Sequence, residues 1–355
     1  MTRFLQIFLY PFSICFGLLM QFRNLLFDFH IFKSVSFSKP VISVGNLSYG
    51  GTGKTPHVEY LVRLLQPYGR LATLSRGYGR KSKGFVLGIP GSDVLQLGDE
   101  PVQYLNKFEQ IVVAVDEKRK RGIQNLLQQF PALTVILLDD AYQHRYVKPG
   151  ISILLTDYHR LYAEDFVIPS GTLREFRSNA SRADIVIVTK TPKIFSPITR
   201  RRILGELKLK SHQQVYFSYI RYLDPVPFII PSQYDFPDKL TNILLFTGIA
   251  NDYPLKEHLS RMCSEIITLK FPDHHPYSVK DIEEIVRIFN DLPTHKKVLV
   301  TTEKDAMRLK VVEPGTKLGK LPLFYVPMEV AFHGTDKELF DNQILKYATK
   351  DQRDR

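Results

Sequence analysis

The segment Ser48-Tyr49-Gly50-Gly51-Thr52-Gly53-Lys54-Thr55 constrains this chain more than any other. It follows an apolar run, Val41-Ile42-Ser43-Val44, and precedes a helix-like stretch from Pro56. Strand, glycine-rich loop and helix in that order make a phosphate-binding P-loop. Glycine lets the backbone wrap closely around a polyphosphate and aim N–H groups at it. Lys54 then reaches the β- and γ-phosphates, Thr55 offers a hydroxyl to Mg²⁺, and the following helix adds its positive N-terminal end. The common pattern opens on glycine, and Ser48 stands there instead. The alternative is an ordinary turn before a helix; the flanking strand and helix favour the phosphate loop. The segment implies a bound nucleoside triphosphate and leaves the phosphate acceptor open.

Beyond the loop, short apolar runs alternate with helical patterns. Strands are expected at 71–74, 111–115, 134–138, 151–155 and 185–188, and helices over 57–65, 99–108 and 117–130. That alternation predicts an α/β fold with a parallel sheet flanked by helices. A proline-rich stretch, from Pro225 and Pro227 to Pro231 and Pro237, reads as a crossover to a second lobe. There the alternation resumes, with strands at 243–246, 266–269 and 298–301 and helices near 254–262, 279–290, 303–309 and 337–347. The predicted organisation is an N-terminal membrane-associated segment over 1–37, a P-loop core over 38–223, a smaller α/β lobe over 224–348 and a charged tail over 349–355.

The 355 residues suffice for one large domain or two smaller ones. The only two cysteines, Cys15 and Cys263, lie too far apart in sequence to suggest a disulfide framework, which predicts a reducing compartment. No Cys/His spacing suits zinc. The formal net charge of +12 favours an anionic partner: nucleic acid, an acidic membrane or a phosphorylated substrate. A merely solvated basic surface gives the same count, and nothing resembles a nucleic-acid-binding module. The N-terminus shifts the balance toward a membrane. Residues 4–20 read FLQIFLYPFSICFGLLM, with Arg23 and Leu25-Leu26-Phe27 after them. This run sits at the lower edge of a membrane span, and Pro11 interrupts it. An interfacial or shallowly inserted helix is the first expectation, a single span the second and a core helix the third.

Several constellations carry chemistry. Leu137-Leu138-Asp139-Asp140 is an apolar strand ending in two carboxylates. Beside a P-loop, such a strand end holds the Mg²⁺ shell; alone, it is an ordinary turn. Asp99, in Gly98-Asp99-Glu100-Pro101, reads by spacing as a helix N-cap, and it also has the chemistry of a general base for a hydroxyl acceptor. His274 and His275 stand in a loop before a helix, without a third ligand at metal spacing. Arg76, Arg119 and Arg174 are candidate phosphate clamps, with His144-Arg145 a further pair for the same cleft. Pro192 occupies the position of a guanine-reading Asp in Thr189-Lys190-Thr191-Pro192, which counts against GTP. Glu303-Lys304-Asp305 is a second candidate for base contact, with helix capping as its plain alternative.

Taken in order, these pieces resemble the tetraacyldisaccharide 4'-kinase family. The matching segments are Gly45-Asn46-Leu47 with Gly50 to Pro56, Ser75-Arg76-Gly77-Tyr78-Gly79, Gly98-Asp99-Glu100-Pro101 and Asp139-Asp140-Ala141-Tyr142-Gln143-His144-Arg145. Further on come Gly171-Thr172-Leu173-Arg174-Glu175, Phe246-Thr247-Gly248-Ile249-Ala250, Phe271-Pro272-Asp273-His274 and Thr302-Glu303-Lys304-Asp305-Ala306. The resemblance implies an ATP- and Mg²⁺-dependent kinase at the cytoplasmic face of the bacterial inner membrane. It would phosphorylate the 4'-hydroxyl of a lipid-linked disaccharide, tetraacyldisaccharide 1-phosphate, giving lipid IVA, with no nucleic acid and no obligate protein partner. Carried over by motif, residues 48–55 cradle ATP, and Thr55, Asp139 and Asp140 hold the metal. Asp99 is the base, coupled to His274, and Arg174 contacts the reacting phosphates. Arg76, Arg119 and His144 line the site. Ala141-Tyr142 and Phe176 depart from the family pattern, which leaves loop geometry and acyl-chain preference open.

Three rivals make different predictions. A P-loop GTPase or metal-insertion ATPase would show another nucleotide preference. A membrane-associated nucleotide-binding scaffold would bind ATP without acceptor-dependent turnover. A nucleic-acid enzyme would bind DNA or RNA with steep salt dependence.

Overall fold

A computed structural model of the protein describes residues 3–228, 236–237, 239–249, 251–273, 275–309 and 317–349. The chain divides into one unit of Met1–Ile220 with Val330–Arg355 and a second of Arg221–Glu329.

The first unit opens with α1 (Arg3–Asp28), then β1 (Val41–Asn46) and α2 (Lys54–Leu65) around the glycine loop. β2 (Leu71–Ser75), β3 (Val86–Leu87), α3 (Val94–Leu97), α4 (Asp99–Lys107), β4 (Val112–Val115), α5 (Arg119–Gln129) and β5 (Val135–Asp139) follow. The chain continues through β6 (Ile151–Asp157), β7 (Ile185–Thr189), α6 (Pro197–Leu207) and β8 (Gln214–Tyr222). β8 leads into the second unit, with β9 (Val226–Pro227), β10 (Leu240–Thr247), α7 (Tyr253–Leu259), β11 (Cys263–Lys270), α8 (Val279–Asp291), β12 (Lys297–Thr302), α9 (Glu303–Leu309) and β13 (Leu323–Val326). β14 (Met328–Phe332) brings the chain back, and α10 (Asp336–Ala348) closes it.

Among the described residues, the first unit's sheet runs in the order β14-β8-β7-β6-β1-β5-β2-β4-β3. β1 lies parallel between β5 and β6, with Val44 opposite Asp139 on one side and Asn46 opposite Leu155 on the other. Every residue of β1, β2, β4, β5 and β7 is buried, as suits parallel strands covered on both faces. Strand order reverses around β1, so the loops after β1 and β5 meet at the C-terminal edge, where open α/β sheets bind ligands. α2 presses Val58, Leu61, Val62 and Leu65 onto Ile42 and Val44. In the second unit the order is β11-β10-β12-β13-β9, parallel except for β9 at the edge. The Ser278–Asp281 capping box opens α8, which covers that sheet with Ile282, Ile285 and Phe289.

The second unit runs from Arg221 to Glu329, where the sequence reading drew a second lobe over 224–348. The last helix, placed by sequence in the second lobe, belongs to the first unit. Phe340 and Ile344 of α10 join the core beneath α2, and Tyr347 Oη lies 3.2 Å from the Val41 amide. The tail beyond Thr349 lies outside the described residues.

α1 runs through Pro11 and lies on the first unit with its polarity inverted. Ser13, Gly17, Asn24 and Phe27 face inward, while Ile7, Phe8, Phe12, Leu18, Leu19 and Phe22 are exposed. A core helix therefore does not describe it. Nor does a span: among the described residues no helix is long and apolar enough to cross a membrane. Gln6, Gln21, Arg23 and Asn24 dilute the apolar run.

Candidate active site

The glycine loop joins β1 to α2 at the C-terminal edge of the sheet. Gly50 and Gly53 take φ of 114° and 85°, a region that favours glycine. Ser48 is not in that region, so the serine costs no backbone strain. A Cβ built on Gly50 or Gly51 meets no protein atom within 4 Å, which leaves the loop's rim open for a bulky anion. The Gly171–Glu175 segment straps the loop in place. Arg174 N donates to Leu47 O at 2.7 Å, and Tyr49 N donates to Thr172 O at 2.7 Å. Arg174 thereby comes to lie over the Tyr49 ring, 4.8 Å from its centroid.

Lys54 Nζ sits 3.4 Å from Asn46 Oδ1 and 3.6 Å from Asp140 Oδ1. Arg174 Nη1 donates to both Asp140 oxygens at 3.2 and 3.3 Å. Asp140 itself has φ of 47°, an uncommon value that Asp tolerates better than most residues. Burial pushes its carboxyl up, but Lys54 and Arg174 outweigh that and hold it below the ordinary range.

Asp139 differs sharply. It is buried, its Oδ2 accepts from Tyr104 Oη at 2.9 Å, and its Oδ1 has no hydrogen-bond partner. Burial, with the charges of Glu100 and Asp140, pushes its carboxyl up to about 6 against the pull of Lys54 and Tyr104. An orphaned buried carboxylate oxygen at the end of β5, the strand paired with the P-loop strand β1, fits a hard divalent cation such as Mg²⁺. Among the described residues no three His, Cys, Asp or Glu side chains form a metal cage.

Arg119 and His144 lie behind this edge. The buried Arg119 guanidinium donates to Asp116 O at 2.8 Å and Asp139 O at 3.2 Å, locking the ends of β4 and β5 together. Burial lowers its pKa to about 10. Arg119 N donates to His144 Nε2 at 3.2 Å. Burial and the charges of Arg119 and Arg23 hold that ring down at about 4, so it is neutral at pH 7. Arg76 is exposed beyond β2, and its charge reaches both Arg119 and His144.

Asp99 is not the N-cap its spacing suggested. Gly98, with φ of 94°, takes that place, and Asp99 is the first residue of α4. In the second unit, Asp305 is consumed by its own fold: Oδ2 accepts from Gly248 N at 3.0 Å and Thr302 Oγ1 at 2.7 Å, and Arg308 pairs with Oδ1 at 3.1 Å. That is the capping alternative. Glu303 and Lys304 precede it in α9. His275 pairs with Asp281 at 3.0 Å and stacks on Phe271, and His274 lies outside the described residues.

A family model described as tetraacyldisaccharide-1-P 4'-kinase matches residues 5–349. The chain belongs to that family. The tetraacyldisaccharide 4'-kinase of Phocaeicola vulgatus is 46% identical over 351 residues, covering 97% of this chain and 96% of that one. The enzyme of the same name from Flavobacterium johnsoniae is 47% identical over 346 residues, 96% of each chain. Among solved structures, an LpxK crystal structure from Aquifex aeolicus, described as an "apo" form in complex with ATP, superposes with a TM-score of 0.71 at 26% identity, covering 97% of this chain and 99% of that one.

In this member of the kinase family, sequence reasoning missed the groups that hold the site together. Asn46 Nδ2 donates to Thr52 Oγ1 at 2.9 Å, and Gln143 Nε2 donates to Asn46 O at 2.9 Å. Buried Glu175 accepts from Asn24 of α1 at 2.6 Å and from both Nη atoms of Arg182 at 3.1 and 2.8 Å. Two departures from the family pattern lie at this seat. Tyr142 donates to Asn179 O at 2.7 Å, and the Phe176 ring fills the notch that Gly17 leaves in α1. Within the quoted motifs, Asn46, Gln143 and Glu175 stood as unassigned polar residues, which was the available signal. The full burial of Asn46 and Glu175 was not visible in the sequence.

Proposed function

We infer that the chain is an ATP-dependent kinase that moves the γ-phosphate of ATP to the 4'-hydroxyl of tetraacyldisaccharide 1-phosphate, yielding lipid IVA in lipid A biosynthesis. The observation that carries this reading is the cluster of Lys54, Asp140 and Arg174 at the rim of a glycine loop, in a chain whose family match runs nearly end to end. Two cations held by one carboxylate at that rim are positioned to receive phosphoryl oxygens.

In the reaction, loop N–H groups and Lys54 bind the β- and γ-phosphates, and Arg174 meets the transferring group. Asp99 takes the proton of the 4'-hydroxyl as the new O–P bond forms and the bond from Pγ to the β-phosphate oxygen breaks, releasing ADP. His274, which lies outside the described residues, enters this reading through the family resemblance alone, as the residue coupled to Asp99. Mg²⁺, held by Thr55, Asp139 and Asp140, would neutralise charge on the phosphates when bound. Arg76, the exposed cation of its group, contacts the anionic substrate, and Arg119 and His144 shape the wall behind it. Glu303 and Lys304 remain the candidates of their segment for base contact. The exposed apolar face of α1 seats the enzyme on the cytoplasmic face of the inner membrane, where a lipid acceptor and ATP are both available. The reading needs no nucleic acid and no obligate protein partner.

The test is transfer of labelled γ-phosphate from ATP to tetraacyldisaccharide 1-phosphate in mixed micelles, for wild type and Asp99→Ala. Acceptor-dependent product is expected, falling by about 10²–10⁴-fold in the variant. A folded, ATP-binding wild type that transfers nothing across a range of Mg²⁺ and detergent would sink the substrate assignment.

A further inference from the structure

A trans peptide carries its C=O and the next N–H in opposite directions. Whatever pins a carbonyl therefore aims the following amide. In the glycine loop two successive carbonyls are pinned by side chains from outside the loop's own turn. Thr189 Oγ1, at the end of β7, donates to Thr52 O at 2.9 Å, sharing its proton with Thr156 O at 3.2 Å. His57, one turn into α2, places Nδ1 2.7 Å from Gly53 O and reinforces the longer bond, 3.3 Å, that its own backbone N–H makes to the same oxygen. A carbonyl only accepts, so Nδ1 carries the proton; on the neutral ring Nε2 then accepts from Ser218 Oγ of β8 at 2.9 Å. Thr189 is fully buried and His57 nearly so, so neither bond is exposed to competition from bulk water. Asn46 braces the same turn from within through Thr52 Oγ1.

We propose that His57 and Thr189 are positioning residues for nucleotide binding, which hold the Thr52 carbonyl against β7 and the Gly53 carbonyl against the first turn of α2, so that the Gly53 and Lys54 amides already point the opposite way, at the polyphosphate. Neither side chain need touch ATP. Their work is to remove the cost of flipping two peptides, one of them after a glycine free to adopt either orientation. The inference rests on the nucleotide reading of the loop and deepens it.

The test is calorimetric binding of ATP to the full-length enzyme, with KM for ATP and for the lipid acceptor measured in parallel. Thr189→Val keeps shape and loses the donor; Thr189→Ser keeps the donor. His57→Leu loses the donor to Gly53 O; His57→Asn presents an amide N–H at the Nδ1 position. Thr189→Val and His57→Leu are each expected to bind ATP about ten-fold more weakly and to raise KM for ATP, with KM for the lipid unchanged. Thr189→Ser and His57→Asn should recover to within about three-fold of wild type. A loss that the conservative variants do not recover, or one that falls equally on both substrates, overturns the proposal. So does wild-type affinity in Thr189→Val and His57→Leu. A wild type that binds no ATP overturns the nucleotide reading and takes this inference with it.

Discussion

Asp139 and Asp140 are sequence neighbours with opposite electrostatics, and the difference decides what each contributes. Asp140 faces Lys54 and Arg174 and is held charged. Asp139 points into the core, with one oxygen on Tyr104 and the other unmatched. A carboxyl whose folded pKa is raised costs stability when ionised. The cost is full above the folded value of about 6 and fades as the pH falls toward the ordinary carboxylate range. Asp139→Asn is therefore expected to stabilise the nucleotide-free protein at pH 7.5 by about 1–3 kcal/mol while abolishing metal-supported turnover. Thermal unfolding of both proteins checks this: the variant's excess in Tm should be full at pH 7.5 and shrink by pH 4.5. An excess that stays constant across that range would refute the assignment of the burden to this carboxyl. Asp99 teaches the opposite lesson about reading residues. Its spacing matched a cap, yet glycine at 98, with its positive φ, took the cap and left the carboxylate in the first turn.

At the level of elements, the parallel strands were legible because burial on both faces writes them as unbroken apolar runs, as in Val41-Ile42-Ser43-Val44. β8 was missed because it lies next to the sheet's edge strand and mixes exposed with buried positions, from Gln214 to Tyr222. α6 was missed because its three consecutive arginines blur the apolar stripe. α1 was visible as an apolar segment, but which side faced inward was not: Ser13, Gly17 and Asn24 meet residues far along the chain, Ser170, Phe176 and Glu175. This inversion makes a sharp prediction. Replacing Phe8, Phe12, Leu19 and Phe22 together with serine should leave Tm within about 2 °C, since these side chains are exposed. The same protein should float poorly with anionic vesicles and show a raised KM for lipid presented in bilayers. Unchanged flotation would remove α1 from membrane binding.

For the whole molecule, the composition gave only a sign of charge, and the local patterns gave two sets of α/β elements without saying how the chain shares them. α10 illustrates why. Its membership of the first unit rests on Phe340 and Ile344 beneath α2 and on Tyr347 beside Val41, contacts between opposite ends of the sequence. The chain leaves the first unit along β8 and returns along β14, and these are neighbours in the sheet. His333 N donates to Phe217 O at 3.1 Å, so the two ends of the excursion begin side by side. Topologically the second unit is a cassette spliced between β8 and β14 of the first unit's P-loop sheet. A scar of about four residues suffices to rejoin the cut, because neighbouring strands need only a short turn. Deleting 221–329 and closing the gap with such a turn should yield a soluble, cooperatively melting remnant that still floats with vesicles through α1. In genealogical terms, this layout lets the sheet and its phosphate loop be older than the insert, and lets the insert diverge without rewriting the loop.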